Sequence, residues 1–269
     1  MVGDGPVTAT SSSHEGAPSV KPVKLESPKG PGTLRTAHQE RTWSRRAADW
    51  DHSSMPGLEK IAAAVVREAG SVDGADVVDL GCGSGQLALG LAERARSVTA
   101  VDFSAQMLSL LDERAKAAGL SNVTTVRSTL QALDLAENSV DVIVTNYALH
   151  HLQHKEKAAL VAKTAKWLRP GGRLVIGDMM FGLASDSESR QIIARKVTDI
   201  ARRGPAGLWR IAKNGWKILV AREECPAPIG MWRQMLTDAG FTAIRSERIV
   251  AEAAVVAAQA PGAAAQPRS

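Results

Sequence analysis

Cysteine is scarce in this sequence of 269 residues, which contains only Cys82 and Cys225. Two cysteines far apart in sequence exclude a disulfide scaffold and a four-cysteine zinc site, and they are typical of a reducing compartment. No apolar run reaches the roughly 18 residues that a membrane-spanning helix needs. The N-terminal residues contain no apolar segment of the kind found in a secretory signal peptide. We therefore expect a cytoplasmic protein that contacts no membrane.

Tyrosine and phenylalanine are also rare, with one Tyr and three Phe. Proteins that read RNA commonly stack its bases on aromatic side chains, and no strand-like segment here carries such a set. Nucleic acid is therefore an unfavoured partner. The formal net charge of +5 is mild for 269 residues, so it indicates a partner only where the charge is concentrated. A homodimer is among the oligomeric states compatible with the sequence.

The two ends of the chain lack the apolar periodicity of folded segments. Residues 1–36 contain five prolines interspersed with Gly, Ser and Thr. Such a segment buries too little apolar surface to offset the entropy lost on ordering. We predict that residues 1–36 and the tail 260–269 are disordered, and that a single domain spans 38–259.

Short apolar runs alternate with helical patterns through most of this domain. The predicted strands are 76–80, 98–101, 123–126, 140–146 and 173–179, and the predicted helices are 57–69, 86–94, 105–118, 155–168 and 229–239. This alternation predicts a parallel sheet covered by helices on both faces. Two further runs, 242–249 and 252–259, predict an antiparallel hairpin. The expected fold is α/β, with a doubly wound, mostly parallel seven-stranded sheet and a C-terminal antiparallel hairpin.

A glycine-rich loop separates the first predicted strand from the following helix. It contains Gly81, Gly83 and Gly85, preceded by Asp79. Glycine lets the backbone approach a ligand closely because no Cβ intervenes, and a strand, glycine loop and helix form the usual nucleotide-cofactor site of open α/β sheets. A phosphate-binding Walker loop needs a Gly-Lys-Ser/Thr sequence that is absent, and a dinucleotide fingerprint needs different glycine spacing.

The G-x-G-x-G spacing after Asp79 resembles motif I of the class I S-adenosylmethionine-dependent methyltransferases. Residues 139–152 look like the motif IV strand and loop of that family, and residues 168–174 look like its turn into the fifth strand. The motifs occur in the family's order and cover about residues 57–181, with the terminal hairpin in addition. The resemblance implies a methyltransferase whose cofactor is S-adenosyl-L-methionine.

The resemblance also implies roles for individual residues. Asp102 would accept hydrogen bonds from both ribose hydroxyls, Phe103 would pack on the adenine, and Asp79 would suit the cofactor's ammonium group. Where the family often has an Asp or Asn that reads the adenine, this sequence has Thr129, so the backbone near Leu130 is the alternative contact. The expected cofactor-binding residues are Asp79, Gly81, Cys82, Gly83, Gly85, Asp102, Phe103, Thr129, Leu130 and Asn146.

Two adjacent histidines, His150 and His151, follow the motif IV strand. A histidine is a natural proton acceptor near neutral pH, and His150 is our candidate for a general base, with structural packing as the alternative, above all for His151. We expect no metal site at this pair. The pair Asn146-Tyr147 is similar to part of the Asn-Pro-Pro-Tyr motif of amide and adenine N-methyltransferases. Because both prolines are missing, we do not favour that reaction.

The segment 182–222 is far longer than the loops of about 2–6 residues usual in α/β units. It carries nine basic and three acidic residues, and we predict a helical cap insertion over the substrate. Its charge is compatible with a solvated helix face, an anionic substrate or partner, or a nucleic-acid contact.

The resulting hypothesis is that the methyl group of S-adenosylmethionine is transferred by in-line displacement to a small-molecule acceptor, either neutral or anionic. The cofactor supplies an electrophilic methyl group, and the protein has to position the acceptor and exclude water. The acceptor atom could be O, N or C. The alternatives are an RNA or protein methyltransferase that uses the basic segment 182–222, and a cofactor-binding partner without catalytic activity.

Overall fold

The computed structural model describes residues 58–181, residue 198 and residues 224–262. They contain seven strands: β1 (Asp76–Leu80), β2 (Ser97–Asp102), β3 (Val123–Arg127), β4 (Val140–Asn146), β5 (Leu168–Met179), β6 (Thr242–Val250) and β7 (Ala253–Gln259). The helices are α1 (Leu58–Ala69), α2 (Ala88–Ala92), α3 (Ala105–Ala117), α4 (His154–Trp167) and α5 (Ile229–Asp238), with a 3-10 turn at Leu149–His151. The predicted segments 1–36 and 182–222 lie outside the described residues, apart from Thr198. Of the predicted tail 260–269, only residues 260–262 are described.

The seven strands form one sheet in the order β3-β2-β1-β4-β5-β7-β6. Strands β1 to β5 pair in parallel, and β7 pairs antiparallel with both β5 and β6. This arrangement confirms the predicted α/β fold with a mostly parallel sheet and a C-terminal hairpin. None of the described helices is both long and apolar enough to span a membrane.

Neighbouring residues along the central strands pack into opposite cores. Val77 belongs to the core under α1, α2 and α3, whereas Val78 belongs to the core under α4 and α5. Val142 and Ile143 divide between the two cores in the same way. A strand buried on both faces reads as a continuous apolar run, which explains why β1, β2 and β4 were recognisable in the sequence.

The fifth strand departs from its expected start. Leu168 pairs with Val140, but the next paired residue, Arg173, faces Val142. Residues 169–172 therefore bulge out of the ladder, with Gly171 at a φ of 77°. The Pro-Gly-Gly sequence forms an irregularity inside β5 rather than a turn before it, because its backbone cannot supply regular strand pairing.

A buried carboxylate ties together the amino ends of the parallel strands. Asp76 accepts hydrogen bonds from Ser97 Oγ at 2.8 Å, from Arg169 at 3.0 Å, and from both Nε and Nη2 of Arg96. Its backbone N–H donates to Asp141 Oδ2 at 2.8 Å. Burial alone would raise the pKa of Asp76, but the hydrogen bonds from Arg96, Ser97 and Arg169 lower it below its usual value. The cluster lies at the end of the sheet opposite the glycine loop.

Candidate active site

A cavity that is partly open to solvent lies at the carboxyl ends of β1, β2 and β4. This is the position at which open α/β sheets bind ligands. Its lining consists of Leu58, Gly81, Cys82, Gly83, Ser84, Gln86, Asp102, Phe103, Met107, Ser128, Thr129, Leu130, Gln131, Asn146, Tyr147, Ala148, His151 and Leu152. Eight of the ten expected cofactor-binding residues lie in this lining, and Asp79 and Gly85 do not.

The glycine loop begins with a backbone conformation that favours glycine. Gly81 has a φ of 74°, and its N–H and that of Cys82 donate to Val101 O at 2.8 and 3.0 Å. A Cβ placed on Gly81 would overlap the Cβ of Ala148, which follows β4. Gly83 also has a positive φ, of 52°, but a Cβ there would meet no atom within 4 Å. The first glycine thus allows two loops to touch, and the second leaves open space at the cavity wall.

Gly85 has a different role in the structure from the one expected. Its φ is 96°, and a Cβ on it would lie 3.0 Å from Leu111 Cγ and 3.1 Å from Leu89 Cγ. These side chains belong to α3 and to the helix that follows the loop. The third glycine therefore allows the helices to pack closely, and it lies away from the cavity lining.

Asp102 ends β2 and is 7% exposed. Its Oδ2 accepts from Gly83 N at 3.0 Å, and its Oδ1 accepts from Ser104 N at 2.8 Å. Burial raises its pKa, while the hydrogen bonds from Ser104, Gly83 and Phe103 act in the opposite direction. A carboxylate has about four lone-pair positions, so these three backbone donors leave about one position for a ligand in the cavity.

Asp79 lies behind the cavity wall, 1% exposed. Burial, followed by the negative charge of Asp102, raises its pKa to about 7, although a hydrogen bond from the Ala88 backbone lowers it. Among the described residues, its Oδ2 has no hydrogen-bond partner. A carboxylate in this state would gain from a nearby cation, because an opposite charge stabilises its ionised form.

Residues from α3 and from the loop after β3 form another side of the cavity. Phe103, Thr129 and Leu130 lie there, as the sequence predicted, and Met107 from the first turn of α3 joins them. Thr129 Oγ1 accepts a hydrogen bond from Ala132 N at 3.3 Å, so it caps the following turn. These side chains give the cavity a flat, mostly apolar wall of the kind that suits an aromatic ring.

The end of β4 crosses the cavity from the opposite side. Asn146 Nδ2 donates to Gln86 Oε1 at 3.3 Å, which links β4 to the helix entrance of the glycine loop. Tyr147 has a φ of 51°, rare for an aromatic residue, and its N–H donates to Gly177 O at 2.8 Å. Burial raises the pKa of Tyr147 to about 12, with further contributions from Glu252 and Asp178. Strained backbone of this kind is often found at binding sites.

The two histidines occupy different environments. His150 is 6% exposed and lies outside the cavity lining, whereas His151 is part of that lining. His150 Nδ1 lies 2.6 Å from Asp178 Oδ1, and its backbone N–H donates to Asp178 Oδ2 at 2.8 Å. The 3-10 turn directs the ring of His150, our candidate base, onto β5. The neighbouring His151 therefore lines the cavity instead. No group of three or more potential metal ligands occurs among residues 58–181, 198 and 224–262.

Several lining residues were missed in the sequence. Leu58, Ser84, Gln86, Met107, Ser128, Gln131, Tyr147, Ala148, His151 and Leu152 all contribute to the wall. Most are immediate neighbours of expected positions, so motif boundaries drawn one or two residues wider would have included them. Leu58 gave no such signal, because α1 is remote from the motifs in sequence.

Comparison with known proteins identifies the family. A family model described as a methyltransferase domain matches residues 77–172. The uncharacterized protein YafE of Escherichia coli K12 is 30% identical over 172 residues, which cover 61% of this chain and 82% of YafE. Phosphoethanolamine N-methyltransferase 1 of Triticum aestivum is 29% identical over 171 residues, which cover 63% of this chain and 32% of that protein.

A solved structure shows the same fold. It is phosphoethanolamine N-methyltransferase 1 of Haemonchus contortus in complex with phosphoethanolamine and S-adenosylhomocysteine. The alignment has a TM-score of 0.51 and 22% identity, and it covers 59% of this chain and 34% of that chain. The chain thus spans most of YafE but only about a third of the two phosphoethanolamine enzymes. With the glycine loop at the carboxyl edge of this sheet, these matches show that the chain belongs to the class I S-adenosylmethionine-dependent methyltransferases.

Proposed function

We propose that this enzyme transfers the methyl group of S-adenosylmethionine to a small-molecule acceptor inside the cavity at the carboxyl ends of the strands. The observation that carries the proposal is that one concave space joins the buried Asp102 carboxylate and the glycine loop to the residues that follow β4. Small-molecule sites are typically concave and mostly apolar, with a few placed polar groups.

The residues present fit the cofactor. Asp102 is a buried carboxylate at the cavity wall that can still accept a hydrogen bond from a hydroxyl group, which suits a ribose. Phe103 and Leu130 would flank the adenine, and Gly81 to Gly83 would let backbone approach the rest of the molecule. Asn146 would close this side together with Gln86. When bound, the cofactor supplies a methyl group already activated by its sulfonium.

Asp79 would act on the cofactor through charge rather than direct contact. Its carboxyl is buried beside Asp102, and its pKa of about 7 leaves it partly protonated at neutral pH. An ammonium group near the glycine loop would favour the ionised form. Cofactor binding below about pH 7 is then expected to release a proton.

The charge of an acceptor that can bind depends on which charged side chains reach the cavity. Asp102 is the only Asp, Glu, Lys or Arg among the cavity-lining residues in the described part of the chain. An anionic acceptor would therefore need a cation from elsewhere, and the basic segment 182–222 is the candidate. The relatives that act on phosphoethanolamine make a phosphorylated amine a reasonable first acceptor to assay.

The test begins with calorimetric titration of S-adenosylmethionine and S-adenosylhomocysteine into the wild type and the Asp102→Ala variant. We expect Asp102→Ala to weaken binding by about 1–3 kcal/mol, the loss typical of a hydrogen bond to a charged group. Asp112→Ala is the matched control, because Asp112 lies on α3, outside the cavity lining, and accepts a hydrogen bond from Thr125 Oγ1 at 3.2 Å.

Turnover is then followed as S-adenosylhomocysteine formation with phosphoethanolamine, ethanolamine and catechol. These acceptors separate phosphorylated amines, free amines and hydroxyl groups. Methylation of any of them that Asp102→Ala slows supports the proposal. Tight cofactor binding with methylation of RNA or protein, and of none of the small acceptors, would refute the small-molecule assignment.

A further inference from the structure

A buried lysine lies near the start of α4, outside the cofactor site described above. Lys157 is 0% exposed and is the fourth residue of the helix. A cation at this end of a helix is opposed by the helix dipole, and its burial adds the cost of removing a charge from water. A leucine or methionine would fill the same core position without either cost. The lysine is therefore explained by what its ammonium group binds.

The ammonium group joins two segments that are far apart in the sequence. Side chains of a helix point back toward its N-terminus, so Lys157 reaches residues that precede α4. Its Nζ donates to the carbonyl oxygen of Leu152 and, at 2.6 Å, to the carbonyl oxygen of Cys225. Cys225 in turn donates its backbone N–H to His150 O at 2.6 Å. Three hydrogen bonds thus join Lys157, the turn that follows β4, and Cys225.

The turn held in this way forms part of the cavity wall. Leu152 lines the cavity together with His151. The segment that contains Cys225 is itself anchored, because Ala227 is fully buried in the core under α4 and α5. Lys157 thereby connects this part of the cavity wall to the protein core.

The position of this wall relative to the cofactor follows from the order of the strands. Asp102, at the end of β2, is the residue expected to bind the ribose, and Leu130, after β3, lies on the side expected to hold the adenine. Strand β4 lies two strands from β2 in the opposite direction, which places its end about 10 Å from the end of β2 at the usual strand spacing. The turn after β4 therefore borders the part of the cavity that is left for the acceptor.

We propose that Lys157 is a positioning residue for the acceptor: its buried ammonium group holds the wall formed by His151 and Leu152 against Cys225 and so sets the shape of the acceptor end of the cavity. The inference rests on the proposed function and adds a determinant of acceptor specificity to it. Lys157 touches neither cofactor nor acceptor, because its side chain is fully buried. Its removal should therefore act on acceptor binding and leave the affinity for the cofactor unchanged.

Another lysine of the same helix provides a matched comparison. Lys163 also donates from Nζ to two backbone carbonyls, those of Gln131 and Leu133, at 2.8 and 2.9 Å. Gln131 lines the cavity next to Leu130, in the loop after β3. Lys163 thus makes the same kind of contact as Lys157, but to the opposite side of the cavity. Lys163→Met therefore tests whether an effect on the acceptor is specific to Lys157.

The test compares Lys157→Met with Lys163→Met in the full chain, and Lys166→Met is the neutral control because its side chain is exposed in the last turn of α4. Methionine has a similar length and donates no hydrogen bond. Initial rates are measured with phosphoethanolamine and with catechol, and S-adenosylhomocysteine is titrated by calorimetry.

We expect Lys157→Met to raise the KM of the acceptor at least about tenfold, which corresponds to the loss of one hydrogen bond from a charged donor. The affinity for S-adenosylhomocysteine should stay within about twofold, and Lys163→Met and Lys166→Met should leave the acceptor KM within about twofold. Lys157→Gln keeps an N–H donor on a shorter side chain, so it should raise the KM by less than Lys157→Met does.

The thiol of Cys225 gives a second measurement that does not depend on turnover. Cys225 is partly exposed, whereas Cys82 is buried, so alkylation by iodoacetamide, followed by mass spectrometry of the peptides, reports on each thiol separately. Lys157→Met should speed alkylation of Cys225 at least about fivefold, because the segment opens more often, while Cys82 stays protected in a folded variant. In the wild type, a saturating acceptor should slow alkylation of Cys225, because coupling between two sites is reciprocal.

The outcomes separate the inference from the proposed function. An unchanged acceptor KM in Lys157→Met, or an equal rise in Lys163→Met, would overturn the inference. If Lys157→Met does not fold, Lys157→Gln and the wild-type alkylation rates decide, and an alkylation rate of Cys225 that ignores the acceptor would overturn the inference. If the wild type methylates none of the small acceptors, the proposed function fails for these compounds, and the alkylation rate in Lys157→Met still decides whether Lys157 holds the wall.

Discussion

The contact between Gly81 and Ala148 allows a quantitative test of how the cofactor loop is built. Gly81→Ala should destabilise the protein for two separate reasons. Its φ of 74° costs an L-residue roughly 1–2 kcal/mol. Its new Cβ would overlap Ala148 Cβ, and overpacking of this kind costs about 1–3 kcal/mol. The expected loss in free energy of unfolding is therefore roughly 2–5 kcal/mol.

Two further variants separate these causes. Gly83→Ala has a positive φ and open space around the new Cβ, so it should lose only the conformational term of roughly 1–2 kcal/mol. Ala148→Gly removes the atom that Gly81→Ala meets. In the double variant the overlap disappears while the strain at Gly81 remains. We expect a coupling energy of about 1–3 kcal/mol between the two positions.

Urea unfolding of the four proteins and the wild type measures these differences. Additivity of Gly81→Ala and Ala148→Gly within about 0.5 kcal/mol would refute the contact. Cofactor titration adds a second readout. Gly83→Ala should weaken S-adenosylmethionine binding although it costs little free energy of unfolding, because Gly83 lines the cavity. Unchanged binding in Gly83→Ala would show that the cofactor stays away from this part of the loop.

Two more predictions concern buried carboxylates. The pKa of Asp79 is raised to about 7 in the folded protein, so its contribution to stability is complete below the unfolded pKa near 3.8 and is lost as the pH rises through about 7. In urea unfolding, Asp79→Asn should therefore become more stable relative to wild type by up to roughly 4 kcal/mol between pH 4 and pH 8. A difference that does not depend on pH would contradict the raised pKa. Asp76→Ala should lose about 1–3 kcal/mol in free energy of unfolding, because it removes the acceptor of the buried Ser97 hydroxyl and one partner of the partly exposed Arg169. Cofactor affinity, measured by calorimetry, should stay within about twofold, and a large loss of affinity would show that the two ends of the sheet are coupled.

Much of the fold and part of the candidate site could be predicted, because they depend on patterns that are local in the sequence. Strands β1, β2 and β4 are largely buried on both faces, so their apolar runs appear in the sequence within a residue of their observed bounds. Strand β5, in contrast, begins before the predicted run. The first and second glycines of the loop and Asp102 could be placed because they occupy fixed positions relative to strand ends. Parallel strands bring such positions to one edge of the sheet.

Other features depend on contacts that have no local signal. His150 and His151 are adjacent in sequence, and only the pairing of His150 with Asp178, 28 residues away in another strand, decides which ring reaches the cavity. Gly85 looks like the other two glycines, yet its neighbours are Leu89 and Leu111. The burial of Asp79 likewise follows from how α2 packs, because its carboxyl accepts from Ala88.

The C-terminal hairpin leaves β6 at the outer edge of the sheet, where unpaired backbone groups could recruit a strand from another molecule. The outward side chains of β6 are charged. Arg245 is 71% exposed and pairs with Glu68 on α1, and Glu247 is 56% exposed and pairs with Arg67. Charged side chains along an edge oppose strand addition, because desolvating them costs more than the new backbone hydrogen bonds return. The charged side chains of β6 therefore disfavour aggregation through addition of a strand at this edge.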